Sequence, residues 1–216
     1  MKVLAVSDRV DEYLQTEVGI EEARDVDLIV GCGDLPFDYL EWLVTLLNVP
    51  MVFVLGNHDR PMLRRSGKVS AKPEGGIDLD GRVRIVRNER GDLLIVAGLQ
   101  GTHMCEGPGS GTSEFAMLRK VFGMLPRLLW NRLKYGRSMD LLVSHAPAAG
   151  IHEGEDPCHR GFRVLRWAIR LFRPTVALHG HVHPTYGIDV RPTCLGRTRI
   201  LNIFGSERLE VQDARR

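Results

Sequence analysis

Five short apolar segments of this 216-residue chain are each followed directly by a polar cluster containing aspartate, asparagine or histidine. Most of the segments are nearly continuous apolar runs, which is typical of strands covered on both faces. Amphipathic stretches alternate with them, so an α/β protein is predicted. Because ligands bind outside the carboxyl ends of strands in such sheets, the polar side chains are expected to converge. The five clusters are Asp8, Gly33-Asp34, Gly56-Asn57-His58-Asp59, His145-Ala146-Pro147 and Gly180-His181-Val182-His183.

The same patterns predict the secondary structure. Segments 67–81 and 98–111 are rich in turn residues and are predicted as loops. No internal repeat or linker divides the chain, so residues 1–216 are expected to form one domain with a helical insertion at about 101–138. Helices are predicted at about 36–47, 113–133 and 161–172. Strands are predicted at 3–7, 28–31, 51–55, 93–97, 141–144, 176–178 and 199–203.

The long helix of the insertion carries apolar residues at steps of three and four. This spacing predicts an amphipathic helix that packs on the core, with a helical cap over the site or a dimerisation face as alternatives. Pro126 is expected to kink or break the helix, and Trp130 is expected to be a core residue. The apolar residues are Phe115, Leu118, Phe122, Leu125, Leu129 and Leu133.

Charge is balanced overall and uneven locally. The formal net charge is +2, so we do not expect a nucleic acid as partner. No membrane partner is expected either, because no apolar run reaches about 18 residues. Residues 1–41 contain eleven acidic and three basic side chains, whereas residues 113–138 contain six basic side chains and one acidic one. The basic segment indicates a solvated helix face, or alternatively a lid that attracts an anionic substrate.

The four cysteines are scattered without a C-x-x-C pair. In a chain of this size they are interpreted as reduced thiols. The chain also shows no signal-peptide pattern and no apolar run of about 18 residues. A cytoplasmic protein is therefore expected.

The residue types in the five clusters suit a metal. Carboxylates, an amide oxygen and imidazoles form a mixed oxygen and nitrogen shell, which divalent Mn, Fe, Co, Ni or Zn accepts. Glycines precede Asp34, Asn57 and His181 and permit sharp turns. His181 and His183 lie two residues apart, so an extended backbone projects both to one face. Together the clusters predict a shared metal site.

The order of these clusters from residue 8 to residue 183 resembles the calcineurin-like metallophosphoesterases. The resemblance implies a four-layer α/β sandwich of two mixed β-sheets flanked by helices. It also implies hydrolysis of a phosphodiester or phosphomonoester by a metal-activated water, on a small phosphate-ester substrate. A nuclease, or a degenerate metal-binding scaffold acting as an interaction module, is the alternative. The oligomeric state is left open.

The resemblance further implies two divalent metal ions, with Mn expected first and Fe, Zn, Ni or Co as alternatives. Asp34 corresponds to the carboxylate that bridges both ions. The other ligands are Asp8 and His183 for the first ion, and Asn57, His145 and His181 for the second.

Two catalytic roles follow from the same resemblance. His58, beside Asn57, corresponds to the histidine that contacts the substrate phosphate and helps protonate the leaving oxygen. Asp59 is expected to orient His58, a supporting role that is common at such sites. Asn57 is also expected to lie against the substrate.

One motif departs from the family pattern. The first family motif is Asp-x-His, whereas this chain has Asp8-Arg9-Val10. Valine cannot bind a metal, so we expect a weak or partly occupied first site, completed by water or by Asp11 or Glu12. Arg9 is expected to donate to the substrate phosphate, or alternatively to form a surface salt bridge.

The polar segment 150–162 is predicted as a loop on the same side as the site. His159 and Arg160 are expected to face a phosphate from the N-terminus of the next helix, which favours anions. In the alternative interpretation His159 caps the helix and Arg160 is solvated.

Overall fold

The computed structural model describes residues 1–64, 66–103, 111–184 and 190–212. Two mixed β-sheets lie face to face, and helices cover their outer faces. This is the α/β sandwich that the sequence predicted. The helices within the described residues are α1 (Glu17–Glu22), α2 (Phe37–Leu47), α3 (Glu114–Tyr135) and α4 (Arg163–Phe172).

The first sheet holds the strands that precede three of the polar clusters. The order across the sheet is β13 (Gly205–Glu210), β1 (Lys2–Ser7), β2 (Leu28–Gly31), β3 (Met51–Phe53) and β6 (Gly76–Asp78). β1, β2, β3 and β6 run parallel, and β13 closes one edge antiparallel to β1.

The second sheet holds the strands that precede the other two clusters. Its four central strands are parallel, and the two edge strands are antiparallel to their neighbours. The order is β11 (Thr193–Leu195), β12 (Thr198–Asn202), β10 (Val176–His179), β9 (Leu141–Ser144), β8 (Leu93–Leu99) and β7 (Arg82–Arg87). A separate pair consists of β4 (Met62–Leu63) and β5 (Val69–Ser70).

Three apolar clusters hold the layers together. One lies between the sheets, a second joins the first sheet to α2, and a third joins the second sheet to α3 and α4. The strands between these layers are covered on both faces, which explains their nearly continuous apolar sequences. Backbone hydrogen bonds link neighbouring strand ends, from Asp8 N to Gly33 O at 3.1 Å and from Gly180 N to His145 O at 3.0 Å.

The face that α3 buries differs from the sequence prediction. Most of the side chains that were predicted to face the core are exposed to solvent instead. The predicted set is Phe115, Leu118, Phe122, Leu125, Leu129 and Leu133. The helix has apolar residues on two faces, and the other face is the one that fits the second sheet. Trp130, predicted as a core residue, is also exposed. The residues that α3 buries in the core are Met117, Val121, Met124 and Leu128.

Pro126 does not break α3, because the helix continues from Glu114 to Tyr135; a kink at this residue stays a prediction. Proline cannot donate to the carbonyl four residues earlier, which belongs to Phe122. Both residues are exposed, so water can satisfy that carbonyl.

Two further predictions need correction. Segment 67–81 is not entirely loop, since it contains β5 and β6; most of segment 98–111 lies outside the described residues or in β8. Cys158 is disulfide-bonded, so the reduced-thiol prediction is wrong for this residue. Cys32 and Cys194 are free, and Cys105 lies outside the described residues.

Replacing Pro126 with alanine is expected to stabilise the protein by about 1–3 kcal/mol, because the missing helical hydrogen bond is restored. Equilibrium denaturation in urea measures the change. Arg127→Ala, at the neighbouring exposed position, is the control and should alter stability by less than about 0.5 kcal/mol. A Pro126→Ala variant no more stable than the control would contradict the helical assignment around residue 126.

Candidate metal centre

Side chains from both sheets meet at the carboxyl ends of the strands. His145, which follows β9, places Nε2 at 3.2 Å from Asp34 Oδ2 and at 3.1 Å from Asn57 Oδ1. Asp34 follows β2 and Asn57 follows β3, so the two sheets supply the three atoms jointly. An imidazole nitrogen, a carboxylate oxygen and an amide oxygen at this separation match the donors that first-row divalent metals accept.

The orientation of His145 is fixed from behind. Its Nδ1 lies 2.7 Å from the carbonyl oxygen of Cys32, to which it donates, so the lone pair of the neutral ring belongs to Nε2. Burial opposes protonation of His145, but the hydrogen bond and charge of Asp34 outweigh burial and raise the pKa of His145 to about 9. In the metal-free protein, a proton on His145 therefore balances the carboxylate charge.

His181 lies beside this group. The ligand atoms of Asp34, His145 and His181 all lie within 4.8 Å of one another. His181 Nε2 lies 3.0 Å from the carbonyl oxygen of Cys158, which leaves Nδ1 with the lone pair. Burial, and then the nearby charge of His145, lower the pKa of His181 to about 4, so this ring is neutral at physiological pH.

Asp8 and His183 form the second part of the site. His183 Nε2 lies 3.2 Å from Asp8 Oδ1. The Asp8 carboxylate also accepts hydrogen bonds from the Ser7 hydroxyl at 2.6 Å and from the backbone N–H of His181 at 2.9 Å. These contacts place the two expected ligands of the first ion next to each other.

The backbone conformation around the ligands allows their side chains to lie close to one another. Asp8, Asp34 and His181 themselves have positive φ values of 62°, 57° and 68°, a conformation that costs a non-glycine residue energy. The sequence prediction assigned the sharp turns to the preceding glycines. This is confirmed at Gly33, which has a positive φ of 101°, whereas Gly180 has an ordinary φ. A Cβ at Gly180 would instead overlap Ser7 Oγ and the Asp8 carboxylate, so this glycine provides space.

The donor set fits divalent metal binding, and the donors are divided unevenly between two positions. Around His145 the structure supplies a carboxylate, an amide oxygen and two histidines, whereas Asp8, His183 and the shared Asp34 remain for the other position. Valine has no metal-binding atom, and the Val10 side chain packs against the apolar cluster of the first sheet and α2. The weak or partly occupied first site stays a prediction.

His58 and Asp59 have separate contacts. The backbone N–H of His58 donates to Asp34 Oδ1 at 2.7 Å, while its exposed side chain lines a cleft of about 390 Å³ beside Asp34. Asp59 Oδ2 accepts hydrogen bonds from the backbone N–H groups of Gly56 at 2.7 Å and Asp34 at 3.1 Å. Asp59 therefore holds the loop that carries the ligands, and its expected role in orienting His58 stays a prediction.

The expected substrate contacts have mixed placements. Arg9 is exposed next to Asp8. His159 stacks on His181, with ring centroids 4.8 Å apart, and its Nδ1 lies 2.7 Å from Asp156 Oδ2. His159 therefore lies at the wall of the site.

Arg160 has a different setting, since it lines a separate cavity of about 710 Å³ with Glu153 and Glu155. The N-terminus of α4 does not offer an open anion site either. Its backbone N–H groups at Arg163 and Val164 donate to the Glu114 carboxylate at 2.7 and 3.1 Å. The predicted phosphate position at this helix end is thus taken by a side chain of α3.

Two features of the site were not predicted from the sequence. Arg60 lines the same cleft as His58 and donates to the carbonyl oxygen of Asn57 at 2.6 Å; its position directly after the Gly56–Asp59 cluster was the available signal. The second feature is a buried pair, in which His152 Nδ1 lies 2.9 Å from His179 Nε2 and His179 Nδ1 donates to Gly180 O. The pair supports the backbone at Gly180, directly before His181.

Comparison with known proteins assigns the family. The family model for calcineurin-like phosphoesterases matches residues 1–185, and the chain belongs to this family. A search of curated protein sequences finds no significant match. Within the described residues no helix is long and apolar enough to cross a membrane.

A solved structure shows the same fold. TT1561 of Thermus thermophilus aligns with a TM-score of 0.60 at 16% identity, covering 98% of this chain and 99% of that one. Two other solved structures align less closely. A single mutant of Vps29 from Entamoeba histolytica has a TM-score of 0.46 at 13% identity, covering 99% and 88%. GAP50 of Plasmodium has a TM-score of 0.47 at 12% identity, covering 94% and 71%.

Gly180→Ala is expected to weaken metal binding about 10–100-fold, because the new methyl group displaces the carboxylate of Asp8. Calorimetric titration with Mn²⁺ measures the affinity. Gly123→Ala is the matched control, since a Cβ at that position meets no atom within 4 Å. Equal affinities in the two variants would show that Gly180 does not set the position of Asp8.

Metal affinity is expected to rise with pH. The pKa of His145 is raised to about 9 in the metal-free protein, so a metal that takes its Nε2 must displace a proton below that pH. Affinity should increase about tenfold per unit between pH 6 and pH 8, with about one proton released per ion. Calorimetry in buffers of different protonation enthalpy measures the release. An affinity independent of pH, with no proton released, would exclude His145 as a ligand.

Proposed function

We propose that the protein is a metal-dependent phosphoric ester hydrolase that acts on a small phosphodiester or phosphomonoester. The observation that carries this proposal is the meeting of His145 Nε2 with Asp34 Oδ2 and Asn57 Oδ1 within 3.2 Å, next to a cleft that His58 and Arg60 line. Divalent cations, when bound, supply Lewis acidity toward the phosphoryl oxygens and a water nucleophile at neutral pH.

The protein's own side chains would bind and orient the ester. A phosphate in the cleft of about 390 Å³ lies within reach of the Arg60 guanidinium and the His58 imidazole. The carbonyl oxygen of Asn57 accepts a hydrogen bond from Arg60 and holds its side chain in place. The positive charge of Arg60 then offsets the negative charge of the acidic ligands and attracts the anionic substrate. Arg9, which is exposed next to Asp8, and His159, which stacks on His181, would contact the ester beside the metal ligands.

His58 would handle the proton. Its backbone is fixed by Asp34 Oδ1, while its side chain is exposed in the cleft. Protonated His58 can therefore donate to the oxygen that leaves, which is the general-acid role expected from the family resemblance. Asp59 supports this indirectly, because it fixes the backbone of Gly56 and Asp34 on either side of the site.

A non-enzymatic scaffold is the second candidate, and Val10 is the observation that favours it. Loss of one ligand at the first position reduces the donors there to Asp8, Asp34 and His183. The four donors around His145 oppose this alternative, since a protein that no longer bound metal would have no need to hold Asp34, His145 and His181 together. A nuclease is disfavoured by the net charge of +2.

His58→Ala is expected to lower kcat about 10²–10⁴-fold without loss of metal, because a general acid is removed and no ligand changes. The assay uses bis(4-nitrophenyl) phosphate and 4-nitrophenyl phosphate with added Mn²⁺, and metal content is measured in parallel. Glu89→Gln, an exposed change outside the cleft, is the control.

The outcomes separate the candidates. Hydrolysis of either ester that is lost in His58→Ala and retained in Glu89→Gln supports the enzyme. If the wild-type protein binds none of the ions Mn²⁺, Fe²⁺, Zn²⁺, Ni²⁺ and Co²⁺ and hydrolyses neither ester in their presence, the enzyme proposal is overturned in favour of the scaffold.

A further inference from the structure

Large apolar side chains recur along the solvent-facing side of α3. Phe122, Leu129 and Leu133 have 54%, 56% and 82% of their surface exposed, and they lie on the side of α3 opposite to the buried residues. Phe115, in the first turn of the helix, extends this side. Single exposed apolar residues are ordinary, whereas a row of them on one helix face indicates an interaction surface.

The neighbouring helix continues the surface. α4 packs on the same outer face of the second sheet as α3, and the Glu114 carboxylate of α3 caps the N-terminus of α4. Trp167 and Leu171 of α4 are also exposed, and Trp130 of α3 is 56% exposed. We refer to the exposed side of α3 and α4 as the outer helical face.

The two helices are rich in basic residues. α3 carries five basic residues and one acidic residue, and α4 carries three arginines and no acidic residue. Lys120 is turned toward the second sheet, where it forms an ion pair with Asp80. Within the described part of the chain, Arg119, Arg127, Arg132 and Arg170 form no ion pair. Glu114 cannot neutralise them, because its carboxylate accepts from backbone N–H groups of α4. The positive charge is therefore available to an external anion.

We propose that the outer helical face docks onto an anionic lipid membrane. Leucine and phenylalanine side chains of α3 enter the boundary between headgroups and acyl chains, to a depth of about 5–10 Å. Trp130 and Trp167 suit the interface, where one end of the indole ring is apolar and the other is wet. The arginines reach the headgroups with their charged ends while their stems cover apolar surface.

The charge and apolar residues of the outer helical face favour a membrane over two other partners, a second copy of the chain and a nucleic acid. A second copy placed symmetrically would bring these arginines against the same arginines, which repel. A nucleic acid would use the arginines, but it offers no contact that rewards exposed leucines such as Leu133 and Leu171. The sequence expectation of no membrane partner rested on the lack of a membrane-spanning segment, and surface docking requires none.

Vesicle flotation tests the proposal directly. The full chain is expected to bind vesicles of phosphatidylcholine that contain about one third phosphatidylglycerol, and not vesicles of phosphatidylcholine alone. Binding should fall as salt is raised to about 1 M, where charges are screened within a few ångströms. Phe122→Glu and Leu133→Glu should each weaken binding at least about tenfold.

Two further variants make the test specific. Leu46→Glu alters an exposed leucine of α2, on the opposite side of the molecule, and should leave binding unchanged. The double variant Arg119→Gln and Arg127→Gln should weaken binding to the anionic vesicles while the melting temperature stays the same, so loss of fold is not the cause. Asp34→Asn should bind vesicles like the wild type, since the surface does not depend on the metal centre.

The following results would contradict docking of the outer helical face onto a membrane. Absence of flotation with anionic vesicles, or equal loss in Leu46→Glu and Leu133→Glu, would overturn the proposal. A dimer in sedimentation analysis that Leu133→Glu dissociates would assign the face to a second copy instead. Displacement of vesicles by a single-stranded oligonucleotide, with tight binding of that oligonucleotide, would assign it to nucleic acid.

Discussion

The imidazole of His145 connects the two sheets, and the metal centre depends on that connection. Its Nδ1 donates to the carbonyl of Cys32 after β2, while its Nε2 faces Asp34 and Asn57. A buried group of this kind is stable only when its charges are balanced. The raised pKa of His145 means that a proton provides the balance in the metal-free protein. A cation takes over that task when it binds, so folding and metal binding use the same contacts.

Much of the site could be predicted because strand ends are simple to recognise. An apolar run followed by Asp, Asn or His marks the position of Asp8, Asp34 or His145 whatever the loops do, and parallel strands then bring them to one edge. The contacts of Asp59 and Glu114 could not be predicted. Each carboxylate binds backbone N–H groups that become its neighbours only after folding. Backbone conformation was equally hidden, since Asp34 and His181 take the left-handed conformation themselves.

The orientation of α3 shows a different limit. Periodicity identified the helix, but Met117 and Val121 lie on one apolar side and Phe122 and Leu129 on another, and spacing alone does not say which side fits the sheet. Packing decides, and it selects the side with methionines and valine. The unselected side, together with the unpaired arginines, then becomes the outer helical face. The same residues that made the sequence prediction wrong thus carry the inference about membrane docking.

We propose that the side chains at the five strand ends form one metal centre organised around His145. A crystal soaked in Mn²⁺ and measured near the manganese absorption edge tests this most directly. We expect an anomalous peak enclosed by Asp34, Asn57, His145 and His181, with a weaker second peak toward Asp8 and His183. A map without a peak at His145, or with manganese bound only elsewhere on the surface, would contradict a metal centre organised in this way.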